Sequence, residues 1–151
     1  MASQQGQTVD LASLSASQLG GVKKQLDDEL EHLTISFNKL RAAQARFREC
    51  LKSMKDGVST EFAGKAILVP LTTSLYVHGH LANTENVLID VGTGFYVEKS
   101  VNDARDFYNA RIDGLSVNLK DLDGVLQGKS NNLRVVEDVM RQKVLLEASK
   151  A

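Results

Sequence analysis

A glycine pair is the clearest candidate for chemistry in this sequence. Gly92-Thr93-Gly94 lies within NVLIDVGTGFYVEKS, residues 86–100. A glycine-rich turn can hold a phosphate when it runs from a strand directly into a helix, whose free N–H groups and dipole face the anion. Here the following FYVEK alternates like a second strand, Val97 stands where a dinucleotide fingerprint needs a third glycine, and no Gly-Lys-Ser/Thr follows. The spacing therefore favours a hairpin turn over a phosphate site.

Histidine and cysteine side chains offer metal binding or nucleophilic attack as further chemistry. His78 and His80 alternate on one predicted strand, but no third ligand is evident and His32 lies far away on a helix. An exposed loop pair is favoured over a metal site. Cys50 lies beside a helical seam with no evident base, so a structural cysteine is favoured over a nucleophile. We find no catalytic constellation and expect neither enzyme activity nor a cofactor.

Composition limits the classes of partner. The 151 residues include 18 basic and 19 acidic side chains, for a formal net charge of −1. This balance gives no bulk electrostatic argument for nucleic acid or an anionic membrane. One cysteine excludes an internal disulfide and fits a reducing compartment. No apolar run approaches the roughly 18 residues of a membrane span, and the polar N-terminus lacks a signal peptide's apolar core. We expect a soluble cytoplasmic protein, with a nuclear pool left open.

The elements that would position these residues begin with a long helix, predicted over about residues 14 to 57. Ser13, Ser15 and Ser17 are candidate caps, and Gly57 ends the pattern. Gln44 falls at a core position, where a buried amide would fix the register at some cost in stability. The heptad positions are Leu19, Leu26, Leu30, Leu33, Phe37, Leu40, Phe47, Leu51, Met54 and Val58.

A second heptad helix is predicted over about residues 101 to 148, starting at Ser100 or Asn102. Lys129 interrupts its apolar seam. Three interior glycines each cost about 1 kcal/mol relative to alanine, so this helix must gain its stability from packing. We expect the two helices to pair as an antiparallel coiled coil over roughly 60 Å. The heptad positions are Tyr108, Ile112, Leu115, Leu119, Leu122, Leu126, Leu133, Val136 and Met140.

Between the helices, two segments of period two predict two β-hairpins over about residues 65 to 99, with Thr72-Thr73-Ser74 as the other turn. One face is apolar and the opposite face is mixed. A two-stranded hairpin is marginal alone, and an exposed apolar face is an association site unless it is covered. We therefore predict an oligomerisation hub. Its residues are Ile67, Val69, Leu71, Leu75, Val77, Val87, Ile89, Val91, Phe95 and Val97.

Taken in order, these segments resemble the prefoldin family, specifically its α-type subunits. The resemblance rests on ILVPLTTSLYV, NVLIDVGTGFYVEKS and DARDFYNARIDGL between two heptad helices, and its most specific part is residues 65–106. Two hairpins rather than one mark an α-type subunit in that family. The resemblance covers nearly all of residues 1–151 and implies a single, mainly α domain: a long antiparallel coiled coil whose hairpins, at the helix–helix connection, form an inter-subunit β-barrel.

The resemblance also implies partners and an activity. One further α-type and four β-type subunits would complete a hexamer with six coiled-coil arms. The arms would capture unfolded chains, notably actin and tubulin, and pass them to the cytosolic chaperonin without ATP.

Apolar residues at both ends of the chain exceed what a two-helix seam can bury, which makes them candidate client-binding tips. Finishing the coiled coil would explain the same residues equally well. A scaffold that joins fixed folded partners, and an enzyme that uses the glycine pair, are the competing functions. The predicted tip residues are Leu11, Leu14, Leu19, Val22, Val144, Leu145 and Leu146.

Overall fold

Two long helices flank four short strands in the computed structural model, which describes residues 11, 13–58, 60–92 and 94–148. The predicted, mainly helical fold with two small antiparallel hairpins is thus confirmed. Two compact units divide the chain: one contains Leu40–Asn118, and the other contains the described parts of residues 1–39 and 119–151. The elements are α1 (Ala16–Gly57), a 3-10 turn (Thr60–Phe62), β1 (Ala66–Pro70), β2 (Tyr76–His80), β3 (Asn86–Gly92), β4 (Phe95–Ser100) and α2 (Val101–Ala148).

Each long helix begins at a serine cap. At α1 the Gln18 N–H donates to Ser15 Oγ (3.2 Å), while the Ser15 N–H donates to Gln18 Oε1 (2.9 Å). At α2 the Asp103 N–H donates to Ser100 Oγ (3.2 Å), whose hydroxyl donates to Asp103 Oδ2 (2.7 Å). Both arrangements satisfy N–H groups that a helix start leaves without partners. Of the three candidate serines before α1, the structure therefore selects Ser15.

In the unit that contains both chain ends, α1 and α2 run antiparallel and are joined by ion pairs. Lys23 Nζ lies 2.8 Å from Glu137 Oε1, and Lys129 Nζ lies 2.5 Å from Glu29 Oε2. Lys23 stands seven residues before the core position Leu30, so it interrupts the apolar seam of α1 as Lys129 interrupts that of α2. Each of the two lysines is matched by a carboxylate on the opposite helix. Further along, the Lys143 ammonium donates to the backbone carbonyl of Leu14.

In the other unit, Gln44 performs the role predicted for it. It is 6% exposed, and its Nε2 donates to Ser116 Oγ (2.7 Å) and to the Ile112 carbonyl (3.2 Å). The Ser116 hydroxyl donates in turn to the same carbonyl (2.8 Å). Because these bonds form only when residue 44 stands opposite residues 112 and 116, the buried amide fixes the register of the helix pair in this unit.

The core of the same unit joins the second hairpin to both helices. Met54 of α1, Ile89 of β3, and Ala104 and Tyr108 of α2 form its buried cluster. The Phe47 ring lies against Tyr108 with centroids 5.9 Å apart. Partly buried side chains surround the cluster, so one face of β3 packs against the chain's own helices.

The strands form two separate two-stranded sheets, β1–β2 and β3–β4. Between β3 and β4 the register shifts at Val91, and the glycines that flank the turn have positive φ, 112° at Gly92 and 80° at Gly94. Thr93 lies outside the described residues. The Gly92 N–H donates to Asp90 Oδ1 (2.8 Å). The glycine pair therefore turns one strand into the next, as the spacing predicts, and no helix start follows it.

Candidate functional site

The first hairpin presents an apolar face that is largely exposed. Val69 pairs with Val77 across the sheet, so their side chains lie on one face, and both are exposed. Leu71 and Leu75 close the turn, where the Leu71 N–H donates to the Leu75 carbonyl (2.9 Å), and both are also exposed. Ile67 is half-buried. Four of the five predicted hub residues of this hairpin are therefore exposed.

The second hairpin divides the remaining hub residues between two environments. Ile89 is 1% exposed and lies in the core of its own unit, and Val87 packs against the same cluster. For these two hub residues the cover is therefore the chain's own core, and their assignment to a surface free for other subunits is wrong. Alternation with period two shows that a face is apolar, but it cannot show whether the cover is the chain's own helix or another subunit. Val91, Phe95 and Val97 remain exposed.

The opposite face of both hairpins also exposes large apolar side chains, which the sequence reasoning left out of the hub. Leu88 is 71% exposed, and Leu68, Tyr76 and Tyr96 are exposed as well. Their alternation was visible in the sequence, but the polar residues between them made this face look solvated. We call Leu68, Tyr76, Leu88 and Tyr96 the outer face.

The predicted tip residues separate into buried and exposed groups. Leu19 is fully buried, and Leu11, Leu14 and Val22 are half-buried. The excess of apolar residues expected at the N-terminal end is therefore wrong for Leu19, because the helix seam covers it. At the other end of the chain the last described turns of α2 leave three consecutive residues, Val144, Leu145 and Leu146, exposed.

In the unit that contains both chain ends, the ion pairs between the helices shift the pKa values of two carboxylates and one ammonium group. The pKa of Glu137 is held below its ordinary value by the hydrogen bond from Lys23, and that same bond raises the pKa of Lys23. Glu29 has a lowered pKa because Lys129 and Gln25 both donate to its carboxylate. All three groups form ion pairs between α1 and α2, so their pKa shifts reflect the packing of the two helices.

Residues capable of chemistry are not brought together by the fold. His78 and His80 are both exposed on β2, and the described residues contain no group of three His, Cys, Asp or Glu side chains that could hold a metal. Cys50 is half-buried beside the core, where burial raises the pKa of the neighbouring Tyr108 hydroxyl, with Cys50 a smaller cause. Within the described part of the chain, no helix is long and apolar enough to cross a bilayer.

The structure defines a class of protein: two long helices, paired antiparallel within each unit, joined by two hairpins with exposed apolar faces. The family model described as prefoldin subunit matches residues 26–145. A protein from Schizosaccharomyces pombe named probable prefoldin subunit 5 is 46% identical over 136 residues, which cover 89% of this chain and 88% of that protein. Human prefoldin subunit 5 is 40% identical over 138 residues, with 91% and 89% covered.

A solved structure agrees with this assignment at the level of the fold. One chain of the filamentous PFD from Methanocaldococcus jannaschii superposes with a TM-score of 0.65 at 20% identity, covering 77% of this chain and 95% of that one. The chain belongs to the prefoldin family. It is a prefoldin subunit, and other prefoldin subunits are its partners.

Proposed function

We propose that the chain assembles through its hairpins with one further α-type and four β-type prefoldin subunits. Support comes from the apolar side chains that both hairpins expose, because a two-stranded sheet with uncovered faces is marginal in water. A barrel closed across subunits would cover these faces and pair the free strand edges. This hexamer would act in the cytoplasm.

We further infer that the assembled complex captures unfolded polypeptides without ATP. The observation that carries this proposal is the exposed run Val144, Leu145 and Leu146. Consecutive helical residues point about 100° apart, so a seam with one other helix cannot cover all three. Each such side chain contributes about 1 to 2 kcal/mol when an apolar client buries it, and several arms acting together supply useful affinity. Denatured actin and tubulin are the proposed clients, and the cytosolic chaperonin is their proposed acceptor.

The test replaces the exposed run and leaves the rest of α2 intact. Complexes carrying Val144→Ser, Leu145→Ser and Leu146→Ser are compared with wild type for mass, by native mass spectrometry, and for suppression of denatured-actin aggregation without ATP. A matched control replaces Val117, Val125 and Val135, which are also exposed on α2, by serine. We expect normal mass for both variants and a partial loss of suppression only in the first, because five other arms remain.

Two outcomes would redirect the proposal. If the first variant suppresses aggregation as well as wild type and its control, the terminal residues are structural and the tip assignment is wrong. If the wild-type complex binds one native protein and protects no denatured client, the chain belongs to a scaffold that joins folded partners and not to a complex that captures unfolded chains. Transfer is tested separately, by asking whether bound actin leaves the complex only after chaperonin is added.

A further inference from the structure

A row of exposed basic side chains lies along one edge of α1. Arg41, Arg48 and Lys55 each directly follow a core residue of the heptad seam and so occupy three consecutive flanking e positions. Lys52 lies within about 60° of arc of all three at 100° per residue. All four are exposed, and none forms an ion pair with another residue that the structure describes. We call these four residues the basic row.

The facing side of α2 does not neutralise this charge. Lys55 lines a shallow depression together with Leu51, Arg105 and Asn109, so the two α2 side chains in this depression are an amide and a further cation. At the heptad position of Asn109, one repeat away in either direction, α2 has Asn102 and Ser116. The side chains at these α2 positions are therefore uncharged or basic, whereas on α1 itself Lys52 has Glu49 three residues before it and Asp56 four residues after it. The three e residues have no acidic residue at either spacing.

In the other unit, lysines on the two helices do have acidic partners. There Lys23 meets Glu137 and Lys129 meets Glu29 across the two helices. Those two lysines stand at seam positions, and the flanking positions of coiled coils also ordinarily carry interhelical ion pairs, which set partner choice. A row of like charges repels and offers the helix pair no compensating contact. The basic row is thus unexplained by the packing of its own unit.

The spacing of the row indicates the shape of a ligand. Seven residues at 1.5 Å rise place the three e residues about 10.5 Å apart, over a total of about 21 Å. A partner helix with a carboxylate at every seventh residue has the same repeat. Duplex DNA carries a phosphate charge about every 1.7 Å of its axis, and nucleic-acid-binding domains are typically strongly basic. This chain has a formal net charge of −1, so the observations favour a helical protein partner over a nucleic acid.

We propose that the basic row docks an acidic helical segment of a partner protein, with its carboxylates at heptad spacing. The basic row shares no residue with the hairpin faces or with the exposed run at residues 144–146, so the proposal stands independently of client capture. Binding would be strongest at low ionic strength, because every pair across the contact is solvent-exposed and screened by salt.

The test measures fluorescence anisotropy of a labelled, alanine-based helical peptide with glutamate at every seventh position, against the complex containing the full chain. A peptide of equal composition with scrambled glutamates controls for spacing. The test variant is Arg41→Gln, Arg48→Gln and Lys55→Gln. Its matched control is Lys24→Gln, Lys39→Gln and Arg46→Gln, which removes three exposed α1 charges outside the row. We expect about tenfold weaker peptide binding for the first and less than twofold change for the second.

Several results would overturn the proposal. These are no measurable binding by wild type at 50 mM salt, equal binding of the scrambled peptide, or equal loss in the control variant. Tighter binding of a 20-base-pair DNA duplex, lost in the same test variant, would make the row a nucleic-acid surface instead. A third variant, Arg41→Lys with Arg48→Lys, keeps the charges and should retain binding. Loss of peptide binding in this variant would contradict the electrostatic basis of the proposal. Circular dichroism of each complex checks that the helices remain.

Discussion

Substituting one residue on each face of β3 would test the contribution of that strand to folding separately from its contribution to assembly. Ile89 is 1% exposed, whereas its neighbour Leu88 is 71% exposed on the opposite face. Ile89→Ala removes three carbons from a cluster with Met54, Ala104 and Tyr108, and such truncations cost about 2 to 5 kcal/mol. We expect a value near the lower limit, because a core with few members can partly collapse. Leu88→Ala should change the stability of the chain by about 0.5 kcal/mol or less.

Urea unfolding of the purified full chain, followed by its helical circular dichroism, measures the first effect. With a denaturant slope of about 1 to 3 kcal/mol per molar, Ile89→Ala should lower the urea midpoint by about 0.7 to 2 M, and Leu88→Ala should change it by about 0.5 M or less. Assembly is measured on the same variants by native mass spectrometry with the other prefoldin subunits. Leu88→Asp should fold like the wild type and fail to assemble if the outer face is a subunit contact.

Equal shifts of the urea midpoint for Ile89→Ala and Leu88→Ala would refute the division of β3 into a core face and a free face. Normal assembly of Leu88→Asp would restrict the subunit contact to the first hairpin and the remaining exposed hub residues. Val77→Asp is the corresponding change on the predicted hub face, and normal assembly of that variant would remove the hub assignment itself.

Three further perturbations test other contacts. Ser116→Ala removes one acceptor from the buried Gln44 amide and should destabilise the chain by about 1 kcal/mol in urea unfolding, with Ser116→Thr as the conservative control. Glu137 has a lowered pKa, so its pairing with Lys23 stabilises the fold above the ordinary value of 4.5 and is lost as the pH falls through the lowered pKa; Glu137→Gln should flatten the dependence of the thermal midpoint on pH below 4.5. Gly94→Val forces a branched residue to a φ of 80° and should impair assembly in nucleotide-free buffer, whereas Gly94→Asn should be tolerated; normal assembly with a lost nucleotide affinity would instead revive the phosphate hypothesis.

Much of the fold could be predicted because its signals are local or periodic. The heptads predict both helices, and the cap chemistry of Ser15 and Ser100 explains where they begin. The positive φ of Gly92 and Gly94 follows from the hairpin turn that two alternating segments require. Gln44 was predictable as a register residue because a polar side chain at a core position must find a partner on the facing helix.

The division of exposed from buried apolar residues was not predictable in the same way. Ile89 and Val77 occupy equivalent places in their alternating patterns, yet one is buried by helices distant in sequence and the other is exposed. The burial of Leu19 was unpredictable for the same reason, because the length of the facing helix decides whether an apolar residue near the start of α1 is covered. Such differences depend on tertiary packing, which periodicity in one segment does not encode.

The core of the Leu40–Asn118 unit holds the second hairpin but not the first. Ile89 fixes β3 to both helices, and the Val101 N–H donates to the Glu85 carbonyl where the second hairpin enters α2. Strands β1 and β2, by contrast, contribute no residue to the buried hydrophobic core of the described chain. A surface that is fixed before association loses less conformational freedom on binding. In the proposed assembly the second hairpin would therefore be the better preorganised contact, while the first, with both apolar faces exposed, would have the greater stability to gain from a neighbouring subunit.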